Sequence, residues 1–398
     1  MSNMVLDGIT VVELTQSVAG PYAGMLLADM GARVIRVEWP EGDGTRREGP
    51  LVNGESLFYM TLNRNKENIA ADLRTEEGKR ILWALLKKAD IFIENFNPGG
   101  VADLGFSYEA VRKENPAIVY LSISGYGQDG PYRDMKYSEL MAQAIGGLMA
   151  SSGWEGEYPI RMGGHYAESI AGTIAATGAL GAYYQTLSGE EGQYVDVSLV
   201  DSMLEVCSTY HFTYFVDGKP TPRPGNYDNI SLPFGIYGCK DGYIAVAIIA
   251  YPHMYWGVVN AIGQPELFED ERFQTGGARK ANQEEFNAIL NEWISQRTVE
   301  EALASFIENG VSCCRVNTIE DIVNDPHIGG ARDMFPDYED PKAGKVRVTG
   351  TAIKILDEPF SIRRPAPALG ANTDSIAKEF CGLGDDEIQA LKEKKAIA

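Results

Sequence analysis

The chain has 398 residues, 44 % of them hydrophobic, and a formal net charge of −21 at pH 7. That length and apolar content suit two or three domains with a large core rather than a disordered chain. The acidic balance argues against nucleic acid or an anionic membrane as general partners, and no run of about 18 apolar residues offers a membrane-spanning helix.

The start, Met1 to Asp7, has neither a basic nor an apolar leader region, so no signal peptide is expected. Ile9–Leu14 reads as a β-rich strand that runs into Ser17-Val18-Ala19-Gly20-Pro21 and a helix over Tyr22–Met30, closed by Gly31. Arg33–Glu38 is a second strand, so the first 38 residues form a βαβ unit. The alternation continues with a helix at Glu76–Lys88, a strand at Ile91–Glu94, a helix at Tyr108–Asn115 and a strand at Ile118–Ile123. This is the pattern of an α/β domain with a doubly wound parallel sheet.

Residues 137–187 read as largely helical and rich in small side chains. A strand at Gln193–Ser198 and a helix at Leu199–Phe215 follow, and Lys219–Asn229, with three prolines, reads as a linker. A smaller α/β region begins at Ile244–Ile249, includes a helix at Glu284–Gln296 and ends near Asn324-Asp325-Pro326-His327. Strands at Val346–Val348 and Ala352–Leu356 and a helix at Asp385–Lys394 complete the chain. The expected division is a large domain over 1–218, a small domain over 226–325, and a segment over 330–398 that returns to the large domain.

Five cysteines without CxxC spacing suit buried thiols in a reducing cytoplasm, with Cys313 and Cys314 on a buried strand. The four histidines are scattered, and no metal site is expected from them.

The most informative stretch is Gly163-Gly164-His165-Tyr166-Ala167-Glu168, which places one acid at the head of a long Ala/Gly/Thr run. An acid there is commonly a partner of the helix dipole. Among glycines it also sits where a ligand can approach the backbone closely. His165, three residues before, reads best as a hydrogen-bonded structural histidine. The first βα turn, Thr15 to Pro21, is neither GxGxxG nor a Walker A loop, yet free N–H groups at a helix start suit a phosphate. Arg36, Arg46, Arg47, Arg64, Lys66 and Lys136 lie near strand ends. They form either a receptor for a phosphorylated ligand or a solvated face. Tyr22, Tyr59, Tyr137 and Trp154 are candidate pocket aromatics, or simply core and rim.

Taken in order, the motifs resemble the class III coenzyme A transferase family, which includes formyl-CoA transferase, carnitine CoA-transferase and α-methylacyl-CoA racemase. The resemblance runs from Leu6-Asp7-Gly8-Ile9 and Ala19-Gly20-Pro21 through Leu27–Glu38, Asn63-Arg64-Asn65-Lys66 and Glu94-Asn95-Phe96. It goes on through Ser124–Tyr132, Gly189–Asp196, Asp325-Pro326-His327 and Pro367–Thr373. It covers nearly the whole chain.

The resemblance implies a Rossmann-like large domain, a small inserted α/β domain and an interlocked dimer. It also implies a cytoplasmic enzyme that takes acyl-CoA and a carboxylic acid, with coenzyme A bound as substrate. By motif position the CoA contacts would be Gln16, Ala19, Asn95, Phe96 and Lys136. Glu168 falls where the family keeps a catalytic aspartate, four residues before Gly172. Glu139 is a second matching acid, either orienting the site or a plain helix-face carboxylate.

The implied chemistry is covalent transfer: a carboxylate attacks the thioester to give an anhydride and then an enzyme thioester, in a dry pocket with oxyanion donors. Three departures stand out. The acid is Glu rather than Asp, Asp103 stands where many relatives carry an arginine, and residues 225–238 lack a glycine run. They leave open a non-catalytic subunit of a hetero-oligomeric transferase. A second alternative is an acyl-CoA racemase or isomerase, although Ser138 occupies the position of its histidine.

Overall fold

The computed structural model describes residues 4–228, 232–249 and 251–398. Met1–Asn3 of the expected leaderless start, Asn229 of the expected linker, and residues 229–231 of the loop at 225–238 lie outside the described residues.

Six strands form a wholly parallel sheet: β1 (Thr10–Leu14), β2 (Arg33–Glu38), β3 (Glu67–Ala70), β4 (Ile91–Glu94), β5 (Val119–Ser124) and β6 (Tyr194–Ser198). Their order is β3-β2-β1-β4-β5-β6. This is the Rossmann order, in which the winding reverses between β1 and β4 and ligands bind beyond the carboxyl ends of those strands. Val11 pairs with Val34 on one side and Ile91 on the other, so every β1 backbone group is internal to the sheet. The central strands are buried on both faces, as continuous apolar runs in parallel sheets require.

One face of the sheet is covered by α1 (Ala19–Asp29) and the long α3 (Tyr166–Thr186), whose buried stripe is Ala167, Ala171, Ala175, Ala176 and Ala179. Such small residues let helices approach closely. At Gly172 an added Cβ would lie 2.7 Å from the Ala19 carbonyl oxygen, so glycine is required at that crossing. The other face carries a second core, where Ile376, Ala377, Ile388 and Ile397 pack with Val12, Ile35 and Phe92. A short helix, α2 (Glu139–Ile145), precedes α3.

The chain divides into two compact units. One comprises Met1–Leu148, Arg161–His211 and Pro326–Ala398, and the other Met149–Ile160 and Phe212–Asp325. The second has its own antiparallel sheet, β7 (Phe234–Gly238), β8 (Tyr243–Ala247) and β9 (Ser312–Arg315), in the order β9-β8-β7. Val258, Phe286, Leu290 and Phe306 fill its core.

Several expectations are corrected. The first helix begins at Ala19 rather than Tyr22. Residues 137–187 are three helices, Glu139–Ile145, Leu148–Ser151 and Tyr166–Thr186, because the Gly- and Pro-bearing stretch between the last two cannot continue a helix. The expected helix Leu199–Phe215 is two, Leu199–Val206 and Ser208–Asp217, broken at Cys207. Ala352–Leu356 is not a strand; Val346 belongs to the hairpin Asp337–Asp340/Gly344–Arg347. Cys313 and Cys314 do lie on a strand, but Cys313 is half-buried and Cys314 exposed. The pleat of an edge strand turns one of each neighbouring pair outward. Of the five thiols, which are all free, only Cys207 is buried.

Candidate active site

The carboxyl ends of β1 and β4 are joined by one side chain. Gln16 donates its backbone N–H to Asn95 Oδ1 at 2.8 Å, and Asn95 Nδ2 donates to the Gln16 carbonyl at 2.8 Å. The next residue, Ser17, holds φ 60°, a left-handed conformation that costs a non-glycine residue about 1 kcal/mol or more. Its N–H donates to Asp43 Oδ2 at 3.2 Å, which supports that geometry. Asp43 in turn accepts from Thr45 N at 2.7 Å and from Arg36 Nη2 at 2.6 Å.

Arg36 leads into a buried network. Its Nη1 donates to Glu13 Oε1 at 2.6 Å, and Lys66 Nζ lies 2.7 Å from Glu13 Oε2. Gly24 makes room for this pair, since a Cβ there would fall 1.8 Å from Glu13 Oε2. Arg46 pairs with Glu38 at 2.5 Å and lies 3.9 Å above the Tyr59 ring. Burial would push the Glu38 carboxyl up, but the Arg36 charge and the Arg46 hydrogen bond outweigh it and hold it down to about 2. Arg64 is buried against Asp29 at 2.6 Å.

The expected basic face for a phosphorylated ligand is therefore corrected. Arg36, Arg64 and Lys66 are wholly buried in ion pairs and Arg46 is largely so, because charges inside a sheet edge must be paired. Arg47 and Lys136 are exposed.

On the other side of the crevice stands Glu168, in the first turn of α3 with its side chain 12 % exposed. Glu139, the first residue of α2, accepts the Ala167 N–H on Oε1 and the Glu168 N–H on Oε2, each at 3.0 Å. It caps α3 from outside, satisfying two of the free donors of that helix start. Gln143 Nε2 also donates to Glu139 Oε1, at 2.6 Å. His165 Nδ1 lies 3.0 Å from Glu168 Oε2.

Burial pushes the Glu168 carboxyl above its ordinary value, as do the nearby Glu139 and Glu48 charges, while the hydrogen bond and charge of His165 pull it back down. The Tyr137 hydroxyl, which donates to the Asn95 carbonyl at 3.2 Å, is pushed up to about 12 by burial and by the charges of Glu94 and Glu168.

These groups surround one cleft of about 550 Å³, a size that suits a small-molecule ligand. Of the residues named from the sequence, Gln16, Asn95, Lys136, Glu139 and Glu168 line it together. Two do not line it. Ala19 is buried in the core at the start of α1. Phe96 packs its ring toward the opposite core, while its N–H donates to Glu94 Oε2 at 2.8 Å.

Tyr137 is the one proposed pocket aromatic that lines the cleft. Tyr59 is buried behind it, Tyr22 packs on the core, and Trp154 belongs to the second compact unit. Asp103 ends a short helix at the surface. Sequence reasoning misses Asp43, Thr45 and Glu48, although the Gly42-Asp43-Gly44 turn shortly after β2 is a signal for a loop that holds a backbone in place.

Glu139, His165 and Glu168 bring ligating atoms within 4.8 Å of one another, a constellation the scattered histidines do not announce in the sequence. Both Glu139 oxygens already accept hydrogen bonds, so the set is built first as a hydrogen-bonded cluster.

Chemically, the cleft offers a carboxylate in a partly desolvated pocket at a Rossmann switch point. The family model for CoA-transferase family III matches residues 6–373. The chain is 34 % identical to the succinyl-CoA–D-citramalate CoA-transferase of Chloroflexus aurantiacus, over 98 % of each protein. It is also 34 % identical to the succinate–glutarate CoA-transferase of Agrobacterium fabrum, over 94 % of this chain and 95 % of that one. A crystal structure of a CAIB/BAIF family protein from Brucella suis superposes with a TM-score of 0.83 at 34 % identity, covering 95 % of this chain and all of that one. The chain belongs to CoA-transferase family III and is an enzyme that moves coenzyme A between carboxylic acids.

Proposed function

We propose that Glu168 is the nucleophile of this transfer and that the donor and acceptor are small carboxylic acids of the kind named for the relatives. The carrying observation is a carboxylate at the helix start, capped by Glu139 and facing the cleft that Gln16, Asn95 and Lys136 line. A Glu168 oxygen attacks the thioester carbonyl; the C–S bond breaks and CoA thiolate leaves, giving a mixed anhydride. The thiolate then attacks the Glu168 acyl carbon, which releases the donor acid and leaves a glutamyl-CoA thioester. The acceptor carboxylate attacks that thioester, and the returning thiolate takes up the acceptor acyl group, which frees Glu168.

Lys136 supplies a positive charge for CoA phosphates, and the Gln16–Asn95 clasp shapes the wall on which the nucleotide lies. Ala19 and Phe96 act from behind that wall rather than on it. The route uses no metal. The named transferases among the relatives favour neither the racemase nor the non-catalytic subunit.

The domain division at 1–218, 226–325 and 330–398, with the small domain inserted, is part of this reading. It is supported by the C-terminal residues Ile376 and Ile397 packing in the core of the large sheet. So is an interlocked dimer or a hetero-oligomer with a paralogous chain. Phe212, Tyr214, Phe215 and Val216 are 57 %, 53 %, 76 % and 83 % exposed, apolar surface of the kind a partner covers. A cytoplasmic location belongs to the same reading.

The test is trapping. Acyl-CoA followed by borohydride or hydroxylamine is expected to change the mass of the peptide that carries Glu168, and Glu168→Gln is expected to abolish both that change and transfer. A Glu168→Gln enzyme with undiminished transfer would end the proposal.

A further inference from the structure

A glutamate at the nucleophile position has one more rotatable bond than an aspartate, and therefore more positions in which its oxygens miss the reacting carbon. The structure restrains it. His165 Nδ1 lies 3.0 Å from Glu168 Oε2, while no hydrogen bond to Oε1 is present among the described residues. The histidine is itself fixed from two sides. Its carbonyl accepts the Ser169 N–H at 2.9 Å, and its ring rests on that of Phe58, with centroids 5.2 Å apart. Gly164, at φ +96°, makes the reversal that brings the imidazole back over the helix start. The glutamate backbone is fixed separately by Glu139.

We propose that His165 is the positioning residue for Glu168: its ring nitrogen holds Oε2 and leaves Oε1 free for the thioester carbonyl. This rests on the reading of Glu168 as nucleophile. The hydrogen bond from the histidine also works on Glu168 against the negative groups around the cleft. Glu139 from α2 and Glu48 after the turn at 44–47 both face Glu168, and Asp43 and Lys136 line the same space. Without the imidazole, burial and two acidic neighbours act on Glu168 against the dipole of α3 alone.

The experiment compares wild type, His165→Ala, His165→Asn and Glu168→Gln as full chains, with transfer measured across pH. His165→Ala is expected to lower kcat by roughly 10- to 100-fold with the KM for acyl-CoA little changed. The acid limb of kcat/KM is expected to move to higher pH, because the influence that lowers the Glu168 pKa is gone. His165→Asn keeps a side-chain hydrogen-bonding group near the same place. It is expected to recover part of kcat and, through that hydrogen bond, part of the shift in the acid limb. Wild-type kcat and an unmoved acid limb in His165→Ala, or a loss confined to KM, would overturn the inference. Loss of rate in both variants with no shift in the acid limb would overturn it too, since a purely structural role leaves the titration in place. Full transfer by Glu168→Gln would instead remove the nucleophile reading itself.

Discussion

The two walls of the cleft use charge in opposite ways. Behind the first βα turn, Arg36, Lys66 and Glu13 have no exposed side-chain surface, and each is held by at least one close partner. Across the crevice, Glu168 is also mostly buried, but it is held through one oxygen by a half-exposed histidine, and its neighbouring acids repel it. The first wall is a scaffold whose buried charges each face an opposite charge, with Arg36 Nε 3.6 Å from Glu38 and without a hydrogen bond; the second keeps a carboxylate incompletely satisfied. A buried charge with all its partners stabilises geometry, while one with a free oxygen retains reactivity.

The contrast can be broken by substitution. The largest effect is expected at Glu168→Gln, which should reduce transfer by at least about 10³-fold while leaving the melting temperature unchanged or higher. Arg36→Ala should do the reverse kind of damage. It leaves buried Glu13 with Lys66 as its one cation and removes the Asp43 ion pair, and is expected to cost about 3 kcal/mol of stability, measured by denaturant unfolding.

Glu94 lies between these cases: buried behind Asn95, it is pushed up to about 7 chiefly by burial, partly offset by the neighbouring Ser122 hydroxyl and by the hydrogen bond from the Phe96 N–H. The folded state therefore holds a proton that the unfolded chain loses near pH 4.5, so stability falls as pH rises from about 4.5 to about 7. Glu94→Gln is expected to flatten that fall and to gain on the order of 2–3 kcal/mol at pH 8 relative to wild type, with little gain at pH 4. Lys136→Ala should raise the KM for acyl-CoA by about 10-fold and leave kcat near wild type, if the exposed lysine that lines the cleft has the binding role proposed for it. Chelation with EDTA is expected to leave the rate unchanged, because the covalent route needs no ion.

Much of the large sheet was readable in the sequence. β1, β2, β4, β5 and β6 announce themselves as apolar, β-branched runs at intervals filled by helices. β3, Glu67-Asn68-Ile69-Ala70, escapes because its polar members are buried. Glu67 pairs with Arg33 at 2.9 Å and the Asn68 amide donates to Glu38, so tertiary partners replace the periodic signal. The same effect hid the true role of the basic residues. Arg36 and Lys66 resemble ligand-binding cations in one dimension and are structural ions in three.

The acid at 168 was visible because small residues surround it, and Gln16, Asn95, Lys136 and Glu139 were placed through the resemblance. Asp43 was not found, because its function lies in accepting a backbone N–H from a loop 26 residues away in sequence. Nor does spacing alone reveal that His165 turns back onto Glu168, since that depends on the reversal at Gly164.

The reciprocal bonds between Asn95 and Gln16 have a further consequence. They tie two strand ends into a closed ring at the point where the winding of the sheet reverses, so this part of the cleft floor is held by the protein's own hydrogen bonds rather than by those of a ligand. On the proposed reading, in which the nucleotide settles there, little conformational entropy is lost on binding, and more of the intrinsic binding free energy remains to drive distortion at the reacting acyl group.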